Sequence, residues 1–203
     1  MDETTIQIGI AALCECDSDL ARAVAQLGLP APRIRPAGFE TLLNTIVSQQ
    51  ISTEAARTIM GRVVATMGST TPDALLALDV QVLRDAGLSF RKIDYARGLA
   101  NAIYCGTLDI DTLATLDDQA AIAAITQLHG FGRWSAEIYL MFSLGRTDIF
   151  PADDLALQVA LGRLKGLEKK PTPKQSRELI QHWAPWRSVG ALFLWHFYRG
   201  APT

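Results

Sequence analysis

Apolar residues recur along this chain with the spacing of helices. In FETLLNTIVSQQ, Phe39, Leu42, Leu43, Ile46 and Val47 stand at i, i+3, i+4, i+7 and i+8, on one face of an amphipathic helix. After Ser52, an N-cap residue type, Ala55, Ala56, Ile59, Met60, Val63, Val64 and Met67 keep the same spacing through about four turns. The polar stretch Ser48-Gln49-Gln50-Ile51-Ser52 separates the two. Thr71-Pro72 pairs an N-cap with proline at the first helical position and predicts a short helix through Leu78; Gly87 closes the next one. Further helices are predicted from about Arg91 to Tyr104, Asp117 to Leu128, Arg133 to Leu144 and Asp154 to Lys165. The stretch PTPKQSRELIQHWAPWRSVGALFLWHFYRG reads as a helix, a break at Pro185 and a strongly apolar helix. No run alternates with period two for the length of a strand, and no internal repeat is present, so the expected class is all-α.

With 203 residues and 49% hydrophobic composition, the chain can bury a core as one domain or as two closely packed lobes. Its three cysteines, Cys14, Cys16 and Cys105, are odd in number and lack a CxxC pair. That argues against a disulfide framework or a four-thiolate metal site and fits a reduced, cytoplasmic setting. The start, MDETTIQIGIAALCECDSD, lacks a basic segment followed by an apolar run, and no stretch approaches the ~20 apolar residues of a membrane span. No membrane partner is therefore expected. His129, His182 and His196 have no metal spacing and read as structural or surface residues, and Glu137 as salt-bridged or solvated.

The net charge of −2 does not advertise a nucleic-acid partner. Local clusters exist at Arg84, Arg91, Lys92 and Arg97, and from Arg163 through Lys165, Lys169, Lys170 and Lys174 to Arg177; taken alone they describe solvated helix faces. Two features carry more chemistry. Between consecutive helices, His129-Gly130-Phe131-Gly132 forms a tight connection in which Gly130 can adopt the left-handed conformation that ends a helix and Gly132 permits close backbone approach. This is either an ordinary helix connection or a seat for phosphate, because amides at the start of the second helix point outward with the positive end of its dipole. Backbone donors of this kind add nothing to formal charge. The second feature is Asp153-Asp154 ahead of an apolar helical run, where an aspartate serves as N-cap, as a reactive anion, or as both. A carboxylate held by backbone N–H donors would stay ionised at neutral pH.

The string LHGFGRWSAEIYLMFSLGRTDIFPADDLALQ resembles the helix-hairpin-helix of the DNA glycosylase superfamily and the Gly/Pro-rich loop with aspartate that follows it. Within it, GRWSAEIYL and FPADDLAL are most similar to the alkylpurine branch, that of 3-methyladenine DNA glycosylase II. FETLLNTIVSQQIS, LSFRKIDYARGLA and PWRSVGALFLWHFY resemble further segments in the right order, so the likeness covers most of residues 39 to 198. It implies a two-lobed helical fold with a DNA-facing cleft, one lobe about 38–129 and the other about 130–203 with residues 1–37, and with the hairpin and Asp154 at the mouth of the cleft. With few residues ahead of Phe39, the extra amino-terminal α/β domain of some members is not expected.

Carried over residue by residue, the resemblance makes Asp154 the catalytic carboxylate, with Asp153 as the alternative. Gly130, Phe131, Gly132 and Arg133 become the hairpin's DNA-binding residues. Gln49, Gln50, Ile51 and Ser52 form a DNA-facing loop in which Gln50 or Ile51 is the wedge that fills the gap left by an extruded nucleotide; alone, the loop is a polar turn. Trp134 and Trp195 match pocket tryptophans on which an extruded base stacks, although on apolar helices they also read as core. Ile138 stands where the best-known member has a second aromatic, with Tyr139 beside it. Trp183 and Trp186 read as core or interface.

The implied reaction is hydrolysis of the bond between an alkylated purine and deoxyribose in damaged duplex DNA by a monomer, leaving an abasic site. Positive charge builds on the sugar, which a fixed anion stabilises, and a base that is already cationic needs no general acid. Relatives that also nick the strand carry a lysine early in the second hairpin helix, where Arg133-Trp134 stand here, so a monofunctional enzyme is expected. No cysteine follows Cys105 to build the iron–sulfur cluster of other relatives. No cofactor is implied beyond an optional monovalent cation at the hairpin carbonyls. The competing readings are a non-catalytic DNA-binding module and a bifunctional glycosylase/lyase acting on oxidised bases.

Overall fold

A computed structural model describes residues 1–200. In chain order its helices are α1 (Glu3–Cys16), α2 (Ser18–Leu27), α3 (Phe39–Val47), α4 (Thr53–Met67), α5 (Pro72–Ala77) and α6 (Val80–Asp85). They continue with α7 (Phe90–Tyr104), α8 (Asp118–Thr126), α9 (Arg133–Phe142), α10 (Leu155–Leu164), α11 (Pro173–Leu179) and α12 (Arg187–Gly200). Short 3-10 turns occupy Thr112–Ala114 and Gln181–Trp183, and no strand occurs among the described residues. The all-α class follows directly from the periodicity.

Local chemistry starts most of these helices. The Ser52 hydroxyl accepts from Ala55 N–H at α4, Thr71 does the same for Ala74 ahead of Pro72 at α5, and Ser89 accepts from Lys92 N–H at α7. Thr172 and Gln175 form a reciprocal capping box at α11. Two helices, α1 and α2, fill the segment ahead of Phe39, capped by Asp2 and Asp17.

The chain divides into two compact units, one formed by Arg35–Tyr139 and the other by Met1–Ile34 with the chain from Leu140 onward. In the first, α7 lies against α3, α5 and α6. Its buried Ile93, Ala96, Leu99 and Ala100 share a core with Leu42, Leu43 and Ile46 of α3, Leu75 and Leu83. The division falls inside α9, so the hairpin belongs with Arg35–Tyr139, whereas a lobe boundary at about residue 130 was expected. Three contacts account for this: Tyr95 packs on Gly130, Gln49 bonds to Gly130, and the Tyr139 hydroxyl accepts from Gly38 N–H.

In the second unit α10 packs on α12, and α1 on α2 and α12. Two helical glycines make the close approaches. A Cβ on Gly9 would stand 2.8 Å from Val189 and 2.9 Å from Trp186, and one on Gly190 would stand 2.4 Å from the fully buried Trp183. A buried carboxylate links these elements. Asp17 caps α2, receives Lys165 Nζ at 2.7 Å and Trp183 Nε1 at 2.7 Å, and lies 3.1 Å from His182 Nε2. Burial alone would raise the Asp17 pKa, but the Lys165, Trp183 and Leu20 donors outweigh it and bring it down to about 2.

Among the described residues no helix is long and apolar enough to cross a membrane, and no cluster of His, Cys, Asp and Glu is arranged to hold a metal ion.

Candidate active site

The hairpin between α8 and α9 is built from the inside outward. Phe131 is 6% exposed, and its N–H donates to Leu128 O at 3.1 Å. The Phe131 side chain thus anchors the turn in the core, and its amide is bonded within the turn. Gly130 has φ +94°, and a Cβ there would meet the Tyr95 ring at 2.5 Å, so glycine is required on two counts. Gly132 differs, since a Cβ there would have no neighbour within 4 Å. Nothing in the protein demands glycine at 132; the surface beside it is open. Helix geometry leaves the N–H groups of the first turn of α9 without intrahelical acceptors, at the positive end of the dipole. The exposed Arg133 side chain folds back, donating from Nε to the buried Glu137 carboxylate at 2.8 Å. Glu137 is thus the salt-bridged residue anticipated for it.

The loop after α3 meets this hairpin. Gln49 Nε2 donates to Gly130 O at 2.7 Å, and Lys92 Nζ donates to Val47 O at 2.6 Å, capping the end of α3. Gln49 therefore braces the hairpin through its amide, and the Ser52 hydroxyl accepts from Ala55 N–H as the α4 cap. Gln50, at the exposed tip, has φ +58°, an uncommon conformation for a non-glycine residue. Ile51 is also exposed. A cavity of about 290 Å³ opens here, lined by Gln50, Arg91, Lys92, Tyr95, Gly132 and Ser135 among others. The starts of α7 and α9 thus share one basic recess. Arg91 is oriented by its bond to the Tyr95 hydroxyl at 2.7 Å, and burial pushes the Lys92 pKa down.

Asp153 and Asp154, adjacent in sequence, are held differently. Asp153 is exposed and pairs with Arg177 at 3.4 Å. Asp154 is half-buried at the N-cap of α10, where its Oδ1 accepts from Leu157 N–H at 3.0 Å. The turn ahead of it is closed by Ala152 N–H to Phe150 O at 2.8 Å and Asp154 N–H to Pro151 O at 2.9 Å. The connection from α9 is pinned to the start of α12. Arg187 grips Asp148 through Nε and Nη2 at 2.7 and 2.6 Å, and the Ser188 hydroxyl bonds the Ile149 backbone on both sides.

Of the aromatic candidates, Trp134 is 44% exposed and so does not belong to the core. Trp195 is half-buried, with its ring 6.0 Å from that of Phe142. The Arg33 guanidinium lies over Phe142 at 4.3 Å and reaches Trp195 at 6.0 Å. Ile138 is buried. Tyr139 is 3% exposed, its hydroxyl fixed to Gly38 N–H at 3.0 Å, and burial is the main cause raising its pKa. Its hydroxyl thus secures the entry to α3.

A family model for HhH-GPD superfamily base excision DNA repair proteins matches residues 43–185. The chain belongs to this superfamily. It is 34% identical over 161 residues to DNA-3-methyladenine glycosylase 1 of Schizosaccharomyces pombe, a match spanning 77% of this chain and 71% of that protein. Among solved structures it is similar to DNA-3-methyladenine glycosidase from Bacillus halodurans, with TM-score 0.86 and 32% identity over 95% of this chain and 89% of that one. It is also similar to the S. pombe 3-methyladenine DNA glycosylase Mag1 in complex with abasic DNA, with TM-score 0.83 and 30% identity over 95% and 97% of the two chains.

The HhH-GPD match contains the Gln49–Ser52 loop, the hairpin and Asp154, and ends before Trp195. Several residues that shape these parts of the HhH-GPD chain gave no usable sequence signal. Arg91 and Lys92 read as a solvated face because the pattern shows neither the Arg91 bond to the Tyr95 hydroxyl one turn on nor the Lys92 bond to the distant Val47 O. The Ser89 cap three residues ahead of Lys92 was the one available hint that α7 begins at this surface.

Proposed function

We propose that this HhH-GPD protein is a monofunctional DNA glycosylase acting as a monomer on alkylated purines, of the 3-methyladenine and 7-methylguanine type, in damaged double-stranded DNA. The observation that carries the reading is the half-buried Asp154 carboxylate, fixed at the start of α10 in a chain similar to 3-methyladenine DNA glycosylases over most of its length.

The steps follow from the residues. Amides at the start of α9, with Arg91 nearby, hold backbone phosphate. The damaged nucleotide leaves the stack, Gln50 or Ile51 takes its place, and the base stacks on an aromatic side chain, for which Trp134 and Trp195 are the candidates. The C1′–N bond breaks with both electrons passing to the base, whose positive charge is thereby neutralised, and cationic character develops on the sugar. The Asp154 carboxylate stabilises that charge and orients a water molecule. The water oxygen bonds to C1′, its proton passes to the carboxylate and on to solvent, and an abasic site remains. Arg133 and Trp134 stand where a Schiff-base lysine would be needed, so the strand stays intact. A monovalent cation at the hairpin would be held by backbone carbonyls; Gly130 O already accepts the Gln49 amide and keeps one lone pair for such an ion.

The test is incubation with duplex DNA carrying methylated purines and chromatography of the released bases. Free 3-methyladenine and 7-methylguanine are expected, with strand scission only after alkali or heat. DNA binding without base release would indicate a binding module instead, and scission without alkali or heat a lyase.

A further inference from the structure

Gln158 is a buried polar side chain, 6% exposed, one turn beyond Asp154 on α10, and both ends of its amide are engaged. Its Nε2 donates to Ala152 O at 2.9 Å, and its Oε1 accepts from Lys170 Nζ at 2.9 Å. A lysine can only donate and a carbonyl can only accept, so the two partners fix which way the amide faces. Lys170 is delivered by the chain leaving α10. At Gly162 that chain packs so tightly that a Cβ would stand 3.3 Å from Lys170 Cα and 3.2 Å from Pro171 Cδ.

Ala152 lies two residues ahead of Asp154, within the turn closed by Asp154 N–H to Pro151 O. The carboxylate is thus clamped from both sides, by Leu157 N–H on its own oxygen and by Gln158 on the backbone that carries it. Capping α10 requires only the first of these bonds. Burying the Gln158 amide has a desolvation cost that an apolar side chain of similar size would avoid, so packing alone does not account for it.

We propose that Gln158, oriented by Lys170, is a positioning residue that sets the place of the Asp154 carboxylate against the sugar; this rests on the role of Asp154 in the proposed function. Misplacement of a reacting group by about 1 Å costs on the order of a hundredfold in rate. The bonds to Ala152 and Lys170 hold that error out.

The test measures single-turnover base release from methylated duplex, affinity for an abasic-site duplex, and thermal midpoint. The variants are Gln158→Leu, Gln158→Glu, Lys170→Met and Lys170→Arg. Gln158→Leu keeps the volume and loses both bonds, so release is expected to slow by about 10- to 100-fold while DNA affinity stays within about twofold. Gln158→Glu can still pair with Lys170 but sets an oxygen against Ala152 O, and slows release to a similar degree. Lys170→Met, which leaves Gln158 in place, slows release by about 3- to 10-fold, and Lys170→Arg restores most of it. Wild-type release rates in folded Gln158→Leu and Gln158→Glu, or in Lys170→Met should the Gln158 variants fail to fold, overturn the proposal. So does a loss of rate that only follows the loss of folded protein. Failure of the wild type itself to release base would overturn the functional reading and this inference together, whereas slow variants beside an active wild type speak to Gln158 alone.

Discussion

The side-chain amide of Gln49 donates to the backbone carbonyl of Gly130 across 2.7 Å, so the loop ahead of α4 and the hairpin ahead of α9 hold a single arrangement. The exposed Gln50 tip and the amides of α9 are presented together because of that bond, with Lys92 securing the loop from the α3 side.

Gln49→Ala is therefore expected to lower stability by about 1 kcal/mol, since one buried-edge hydrogen bond is lost. It should also weaken binding to an abasic-site duplex by about fivefold or more. Gln50→Gly should have the opposite effect on stability, by about 0.5–1 kcal/mol, because glycine relieves the positive φ. It should still weaken DNA binding, because the side chain at the tip is gone. Urea melts and fluorescence anisotropy of each variant read both quantities.

The two hairpin glycines should separate stability from binding. Gly130→Ala forces a Cβ into the Tyr95 ring at a left-handed position, and a loss of about 2–3 kcal/mol is expected. Gly132→Ala meets no protein atom within 4 Å, so stability should stay within about 0.5 kcal/mol of wild type. Its DNA affinity should nevertheless fall, because the added methyl projects where a phosphate backbone approaches. Unchanged affinity in Gly132→Ala would place the DNA contact elsewhere.

Asp17 makes the acid limit of stability predictable. Its pKa of about 2 in the folded chain lies below the ordinary 3.8, so its contribution is present above the unfolded value and is lost as pH falls through 3.8 towards 2. The shift corresponds to roughly 2 kcal/mol at neutral pH. Asp17→Asn should be destabilised by about 3 kcal/mol at pH 7, because Lys165 loses its partner at the core edge. The gap from wild type should narrow below about pH 4, as measured by denaturant midpoints across a pH series.

The parts legible in the sequence were those set by local chemistry. The caps at Ser52 and Thr71-Pro72 and the face formed by Phe39, Leu42, Leu43, Ile46 and Val47 placed α3, α4 and α5 to within a residue. Helix ends drifted further where no cap residue marks them: α9 stops at Phe142, not Leu144, and α8 at Thr126, not Leu128. Site residues were legible as residue types, but which of their donors and acceptors are already spent inside the protein was not. Nothing local distinguishes Gln49 from Gln50, yet one is tied to a carbonyl 81 positions away and the other is exposed. The burial of Phe131 in its own turn and the bond of Tyr139 to the distant Gly38 were not legible either. Lys165 and Lys170 read as part of a solvated face, because their partners Asp17 and Gln158 are brought to them only by the fold.

The charge of Asp154, and not its capping bond, is expected to drive base release. Asparagine caps helices as well as aspartate does, so Asp154→Asn should keep the Leu157 N–H bond, the thermal midpoint and the affinity for DNA. Single-turnover release of 3-methyladenine from methylated duplex DNA should fall by about a hundredfold or more in this variant. Release at the wild-type rate by a folded, DNA-binding Asp154→Asn protein would contradict the account.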